Sequence, residues 1–305
     1  MISSHENGPV GSGSGTPGPG GPGISGSTRV VGVCGQGIGY TLSPAMHNAA
    51  FRHCGLDYVY VTFEIATSGV RQAVDGIRAL GLAGVNVTKP LKSDVLPYLD
   101  EVSEEARRIG SVNTIVNHGG RLAGTSTDGA GLLSALGERG VSVAGSRLLI
   151  LGAGGAARAA CAMAGGQGAA SITIAARNAD RARDTASVGG AESITLTPSD
   201  LGAAVREADL VINAIPGDLP LEGDWFTSGQ FVYDTRYDQA ETGLMRCARS
   251  RGAETSNGIG MLLFQGAASF EIWTGRAAPV EVMRTALEEQ LRHRKAREEK
   301  ACCDT

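Results

Sequence analysis

Two lysines stand three residues apart in GVNVTKPLK (Gly84 to Lys92). Beside a substrate hydroxyl, a lysine can do proton transfer: burial or a charged neighbour tunes its amine to give or take a proton as a C–O bond changes oxidation state. Spacing alone does not choose between Lys89 and Lys92. Lys89 takes the extended position before Pro90, and Lys92 the first turn of a helix expected to begin at that proline. Other polar side chains fall at comparable edges: Thr41 and Ser43 in GYTLSP, Asn113 in GSVNTIV and Asp128 in TSTDGAG. Each type is common in caps and turns. Together they form a hydroxyl-binding set with one lysine and one aspartate.

A second kind of chemistry is written in LGAGGAAR (Leu151 to Arg158), which follows an apolar run and opens a helical one. Gly152 permits a tight turn, Gly154 lets backbone approach a pyrophosphate, and Ala157 is small enough to pack on a sheet. The backbone of Ala153, Gly155 and Ala156 lies where the free N–H groups of a helix start face phosphate. The next strand ends in AARNADR, with Arg177 where an NAD site carries an acid and Arg181 one turn on. Two arginines suit a 2′-phosphate, so the expected cofactor is NADP.

The elements that must position these groups read as an α/β chain with mainly parallel pairing. RVVGVCG is a strand, and SPAMHNAAFRHCG a helix with Ser43 as N-cap, Pro44 in its first position and Gly55 as its stop. DYVYVTFEI, GVRQAVDGIRALG and LAGVNVT continue strand, helix, strand. From about Asp128 four further strand–helix units make a doubly wound Rossmann domain. The expected organisation is a tail over 1–27, a substrate domain from 29–127 completed by 259–292, a dinucleotide domain over 128–258, and a charged tail over 293–305. The Gly/Pro/Ser-rich 1–27 stretch has too little apolar surface to order itself and has the features of neither a secretory signal nor a presequence.

Ordered motifs carry a resemblance. TLSPAMHNAAF, GVNVTKPLK, GSVNTI, TDGAG, GAGGAAR, NAIPG and NGIGMLLFQGAASF run in sequence from about Arg29 to Ala286, and the chain resembles the shikimate dehydrogenase family. The resemblance implies NADP-dependent interconversion of 3-dehydroshikimate and shikimate, with Lys92 rather than Lys89 as acid/base and Asp128 beside it. It implies that Thr41, Ser43 and Tyr237 hold the substrate carboxylate and that Thr88, Asn113 and Gln265 bind ring hydroxyls. It places Asn213, Ala214, Gly258 and Met261 with the cofactor. The chain departs from the family at Tyr40 (commonly histidine), Thr41 (serine) and Ser126 (asparagine), so quinate or an aminoshikimate is the alternative substrate. A non-catalytic homologue and another Rossmann enzyme, such as a folate dehydrogenase, are the rival classes.

Composition narrows the remaining classes. A net charge of −4 without a basic block points to a small-molecule ligand and away from nucleic acid or anionic membranes. The longest aliphatic runs are strand-length. The six cysteines form no zinc spacing, and reduced thiols in the cytoplasm are expected. His47 and His53 have no second ligand at metal spacing and read as surface or packing residues. No metal is expected, and the chain is expected to be a monomer or homodimer.

Overall fold

The computed structural model describes residues 23–219 and 223–303. Its first sheet gathers β1 (Arg29–Gly35), β2 (Tyr58–Glu64), β3 (Gly84–Val87), β4 (Glu101–Val102), β5 (Thr114–His118) and β6 (Arg121–Thr125) in the order β2-β1-β3-β5-β6-β4. β1 pairs in parallel with both β2 and β3, whereas β3–β5 and β5–β6 are antiparallel. β4 also pairs in parallel with β6, so the mainly parallel pairing expected of the chain holds, with β3–β5 and β5–β6 as its antiparallel exceptions. The Gly119–Gly120 pair, both at positive φ, lets β5 double straight back as β6 without a crossover helix. Helices α1 (Ser43–His53), α2 (Val70–Ala79) and α3 (Glu104–Ile109) flank this sheet.

α4 (Asp128–Glu138) leads into the second half. There follow β7 (Arg147–Leu151), α5 (Gly155–Gly166), β8 (Ser171–Ala176), α6 (Ala179–Gly189), β9 (Glu192–Thr195), α7 (Pro198–Glu207), β10 (Leu210–Asn213), β11 (Phe231–Asp234), α8 (Gly243–Arg249) and β12 (Glu254–Ser256). All of these strands pair in parallel, in the order β9-β8-β7-β10-β11-β12. This is the doubly wound arrangement, with its crevice where the order reverses between β7 and β10. The sequence reading lacked β9, α7 and β12, because β9 and β12 are short and largely polar. Of the three, α7 carried the clearest signal: Thr197 Oγ1 caps it by accepting from Asp200 N–H, ahead of Pro198.

Two local readings change. Leu42, not Ser43, is the N-cap of α1, and Pro44 is its second residue. Ser43 Oγ instead accepts from Thr41 Oγ1 at 3.3 Å. No helix starts at Pro90: the Lys92 carbonyl that would continue one accepts from Val112 N–H at 2.8 Å, and the chain runs through turns to Tyr98. The terminal helix α10 extends over Val280–Cys303 and so runs through the charged stretch from 293 to 303. Its run of Glu, Lys and Arg consists of good helix formers. Of the N-terminal stretch, residues 1–22 lie outside the described residues, while Ser27 and Thr28 donate to Asp57 at 2.7 and 2.6 Å.

The two halves meet on α9 (Ile259–Thr274), a helix apolar on most of its surface. Met261 joins the core under the second sheet with Leu132, Leu136 and Ile150. Leu263, Phe270 and Trp273 join the other core with Met46, Phe51 and Tyr60. Each such burial contributes about 1.5–3 kcal/mol, so α9 is stable only where both cores exist. α4 lies directly against α9, and a Cβ on Gly131 would come within 2.6 Å of Gln265 N and 2.9 Å of its Cα. Backbone cannot yield as a flexible side chain would. Gly131→Ala is therefore expected to destabilise the protein by about 1–3 kcal/mol, measured as a lower urea midpoint at unchanged m-value.

Candidate active site

β3 ends at Val87 and hands Thr88 and Lys92 to a cleft of about 930 Å³ between the two sheets. Asp128 enters the same space as the first residue of α4, where a helix start favours negative charge. Lys92 Nζ stands 2.5 Å from Asp128 Oδ2, with the lysine side chain 19% and the aspartate 5% exposed. Asn113 Nδ2 donates to the other oxygen, Oδ1, at 2.9 Å. One carboxylate oxygen thus faces the lysine while a carboxamide fixes the other. Asn113 is itself held, since Thr127 N–H donates to its Oδ1 at 2.8 Å and its own carbonyl accepts from Val87 N–H at 2.8 Å.

Gln265, on α9, closes this wall: its Oε1 lies 3.3 Å from Asn113 Nδ2, and its Nε2 donates to Leu262 O at 2.8 Å. At the far end, Thr41 and Ser43 line the cleft together with Tyr40 and Tyr237, whose rings are 6.1 Å apart. Burial pushes the Tyr237 phenol up, so it stays a protonated donor at neutral pH. All eight residues expected to touch substrate (Thr41, Ser43, Thr88, Lys92, Asn113, Asp128, Tyr237 and Gln265) line one cleft.

The opposite wall is the switch point of the second sheet. Gly152 leaves β7 at φ +114, and a Cβ there would lie 3.2 Å from Ala214 O on the end of β10. Gly154 faces open space, and α5 begins after it with no side-chain cap. Uncapped N–H groups beside an open backbone fit a phosphate group. Gly155 is needed for closeness: a Cβ there would meet Ser111 Oγ at 2.8 Å and Lys92 Cδ at 3.3 Å. The helix start that suits a dinucleotide is therefore packed against the stem of the lysine.

The remaining cofactor candidates divide. Ala153, Gly154, Gly155, Ala156, Arg181, Ala214, Gly258 and Met261 line the cleft, whereas Gly152, Arg177 and Asn213 are not among its lining residues. Arg177 is exposed beyond the end of β8. Asn213 is buried, its Nδ2 donating to Asp234 Oδ1 at 3.0 Å and its Oδ1 accepting from Ile215 N–H at 3.0 Å.

Sequence reasoning passed over several groups. Asn86 lines the cleft, and its Nδ2 donates to Asn113 O at 3.0 Å and to Ser269 Oγ at 2.9 Å. Its place in β3, facing the cleft side two residues before Thr88, was the available signal. Arg158 reaches from α5 to donate to Ile109 O at the end of α3, a contact between elements far apart in sequence. Of the three departures from the family pattern, Tyr40 and Thr41 line the cleft, but Ser126 is buried away from it with its Oγ unpartnered.

Neither histidine of α1 joins the site. His53 is exposed, and His47 is fully buried, stacked on Tyr60 with ring centroids 4.4 Å apart. No cluster of three or more His, Cys, Asp or Glu suited to a metal occurs among the described residues. Also among these, no helix is long and apolar enough to cross a membrane, and Cys34, Cys54, Cys161 and Cys247 are free.

Known proteins with this arrangement carry matching descriptions. Residues 33–115 match the shikimate dehydrogenase substrate binding domain, 135–223 the shikimate / quinate 5-dehydrogenase family, and 258–288 the shikimate 5′-dehydrogenase C-terminal domain. The chain is 46% identical over 276 residues to the shikimate dehydrogenase (NADP(+)) of Symbiobacterium thermophilum, covering 86% of this chain and 94% of that protein. A crystal structure of a shikimate dehydrogenase in complex with NADP+ superposes with a TM-score of 0.81 at 35% identity, over 90% of this chain and 99% of that one. The shikimate dehydrogenase of Thermus thermophilus, in complex with NADP(H) and shikimate, gives 0.79 at 32% identity, over 86% and 99%.

Burial lowers the His47 pKa from 6.5 to about 3, so the folded protein keeps this imidazole neutral while the unfolded chain protonates it below pH 6.5. The stability it contributes is fully present above pH 6.5 and is lost as pH falls toward 3. The slope approaches about 1.4 kcal/mol per pH unit. Urea unfolding at pH 7.0, 6.0 and 5.0 is expected to show this loss, and His47→Phe, which keeps an aromatic ring against Tyr60, is expected to flatten it.

Proposed function

The chain belongs to the shikimate dehydrogenase family, and on that premise we propose that it interconverts 3-dehydroshikimate and shikimate with NADP(H), Lys92 and Asp128 handling the proton. The observation that carries this reading is the short Lys92–Asp128 contact inside a cleft that also holds the uncapped start of α5. Bound NADPH supplies the hydride to the carbonyl carbon.

The protein's own groups do the rest. The Lys92 ammonium gives its proton to the ketone oxygen as that oxygen gains charge, and takes one back when the alcohol is oxidised. Asp128 holds the ammonium in place and stabilises its charge, and Asn113 keeps the carboxylate from rotating away. Thr41, Ser43 and Tyr237 donate hydroxyls to the substrate carboxylate, while Thr88, Asn113 and Gln265 bind the ring hydroxyls. On the cofactor side, the backbone from Gly152 to Ala156 receives the pyrophosphate, and Arg177 and Arg181 the 2′-phosphate. Asn213 and Ala214 shape the β10 edge of that pocket, and Gly258 and Met261 the nicotinamide end.

In this reading residues 29–127 and 259–292 form the substrate unit and 128–258 the dinucleotide unit. We place the enzyme in the cytoplasm as a monomer or homodimer, in keeping with its free thiols. Quinate or an aminoshikimate is the second reading, favoured by Tyr40 and Thr41 standing in the cleft at positions where the family usually differs.

Initial rates with shikimate, quinate and aminoshikimate, each with NADP and NAD, decide between these. Preference for shikimate with NADP is expected, and absence of turnover on all three would end the reading. Lys92→Met is expected to lower kcat by about 10²–10⁴-fold with the NADPH dissociation constant within two-fold. A kcat within ten-fold of the parent would remove Lys92 from the chemistry. Arg181→Ala is expected to raise KM for NADPH about ten-fold, the scale of one charge-assisted hydrogen bond, while leaving NADH turnover unchanged.

A further inference from the structure

Five cationic side chains line the cleft: Lys89, Lys92, Arg158, Arg181 and Arg236. Three of them are engaged. Lys92 pairs with Asp128, Arg236 with Asp218 and Asp238 at 3.0 Å each, and Arg158 donates to the Ile109 carbonyl. Lys89 and Arg181 form no ion pair among the described residues, and they stand on opposite walls. Arg181 lies in the first turn of α6, at the cofactor side. Lys89 follows β3 on the substrate side, its Nζ over the Tyr40 ring at 5.4 Å from the centroid.

We infer that Lys89 is a specificity residue, supplying the positive charge against which Thr41 and Ser43 hold a substrate carboxylate. This rests on the reading of the site as one for a carboxylated ring. Thr41, Ser43 and Tyr237 are neutral donors, and a carboxylate held by hydroxyls alone would have no counter-charge, because Lys92 is already matched to Asp128. The lysine and the hydroxyls belong to one mechanical unit: the Lys89 carbonyl accepts from Gln36 N–H at 3.2 Å, at the start of the loop that carries Tyr40 and Thr41. Tyr40 attracts the ammonium to its ring face and confines it at that end of the cleft. Asp238, beyond Tyr237, is held below the usual carboxylate range mainly by its Arg236 hydrogen bond, with Lys89 a smaller contributor. The Lys89 charge thus reaches Asp238, the residue after Tyr237. An uncharged ring polyol would draw nothing from this lysine, so the residue selects acids over neutral analogues.

The test compares Lys89→Met and Lys89→Arg with the parent, using shikimate and its uncharged methyl ester. KM and kcat are read for both substrates, the shikimate dissociation constant by calorimetry, and the NADPH dissociation constant by fluorescence. Lys89→Met is expected to raise KM and the dissociation constant for shikimate about five-fold, the scale of a partly exposed charge pair. Its kcat, its KM for the ester and its NADPH affinity are expected to stay within two-fold, and Lys89→Arg to restore shikimate binding. Unchanged shikimate binding, an equal loss on acid and ester, or a loss confined to NADPH would each overturn the inference. Where the parent binds shikimate normally, such a result counts against Lys89 alone. A parent that neither binds nor oxidises shikimate would overturn the site reading and this inference together.

Discussion

A nearly buried carboxylate at the junction of two sheets is the constraint around which this protein is arranged. Removing an ion from water costs several kcal/mol unless partners replace the solvent. Asp128 meets that demand from three directions: Lys92 on one oxygen, Asn113 on the other, and the start of α4 behind it. Each partner comes from a different element, and each is fixed in turn by backbone hydrogen bonds. The Lys92 carbonyl holds Val112, and Asn113 is bonded to both Val87 and Thr127. The segments around Lys92, Asn113 and Asp128 are consequently one connected structure, although 36 residues separate the lysine from the aspartate.

That junction exists because α9 and α4 hold the two halves together. α9 inserts Met261 into one core and Leu263, Phe270 and Trp273 into the other, while Gly131 lets α4 approach the backbone of Gln265. The same helix that joins the halves also brings Gln265 to the site. Positioning of the polar groups and stability of the junction therefore come from one set of contacts. On the opposite wall, packing of Gly155 against Lys92 Cδ and Ser111 makes the start of α5 a neighbour of the lysine rather than a separate phosphate site.

Much of this was legible in the chain. The glycine turn, the arginines after β8 and the strand–helix alternation specify the doubly wound half, because each depends on local backbone geometry or a short-range period. Where local signals were weak or contested, the reading slipped. β9 and β12 are too short and polar to announce themselves. A proline that often starts helices does not start one at Pro90, because Val112 takes the Lys92 carbonyl. Ser43, a common capping type, sits inside α1 beside Thr41.

The sequence by itself determined which chemical groups are present and which local turns present them: the lysines of GVNVTKPLK, the Asp128 carboxylate, the hydroxyls of Thr41 and Ser43, and the free N–H groups of a glycine-led helix. It did not choose between Lys89 and Lys92 on physical grounds. Tertiary structure separated them: the turn after Thr88 carries Lys92 to Asp128, while Lys89 lies over Tyr40. The physical reason is range. Turns and periods are set by neighbours a few residues away, whereas the pairing of a lysine with a carboxylate is set by strand register and helix packing across the whole chain.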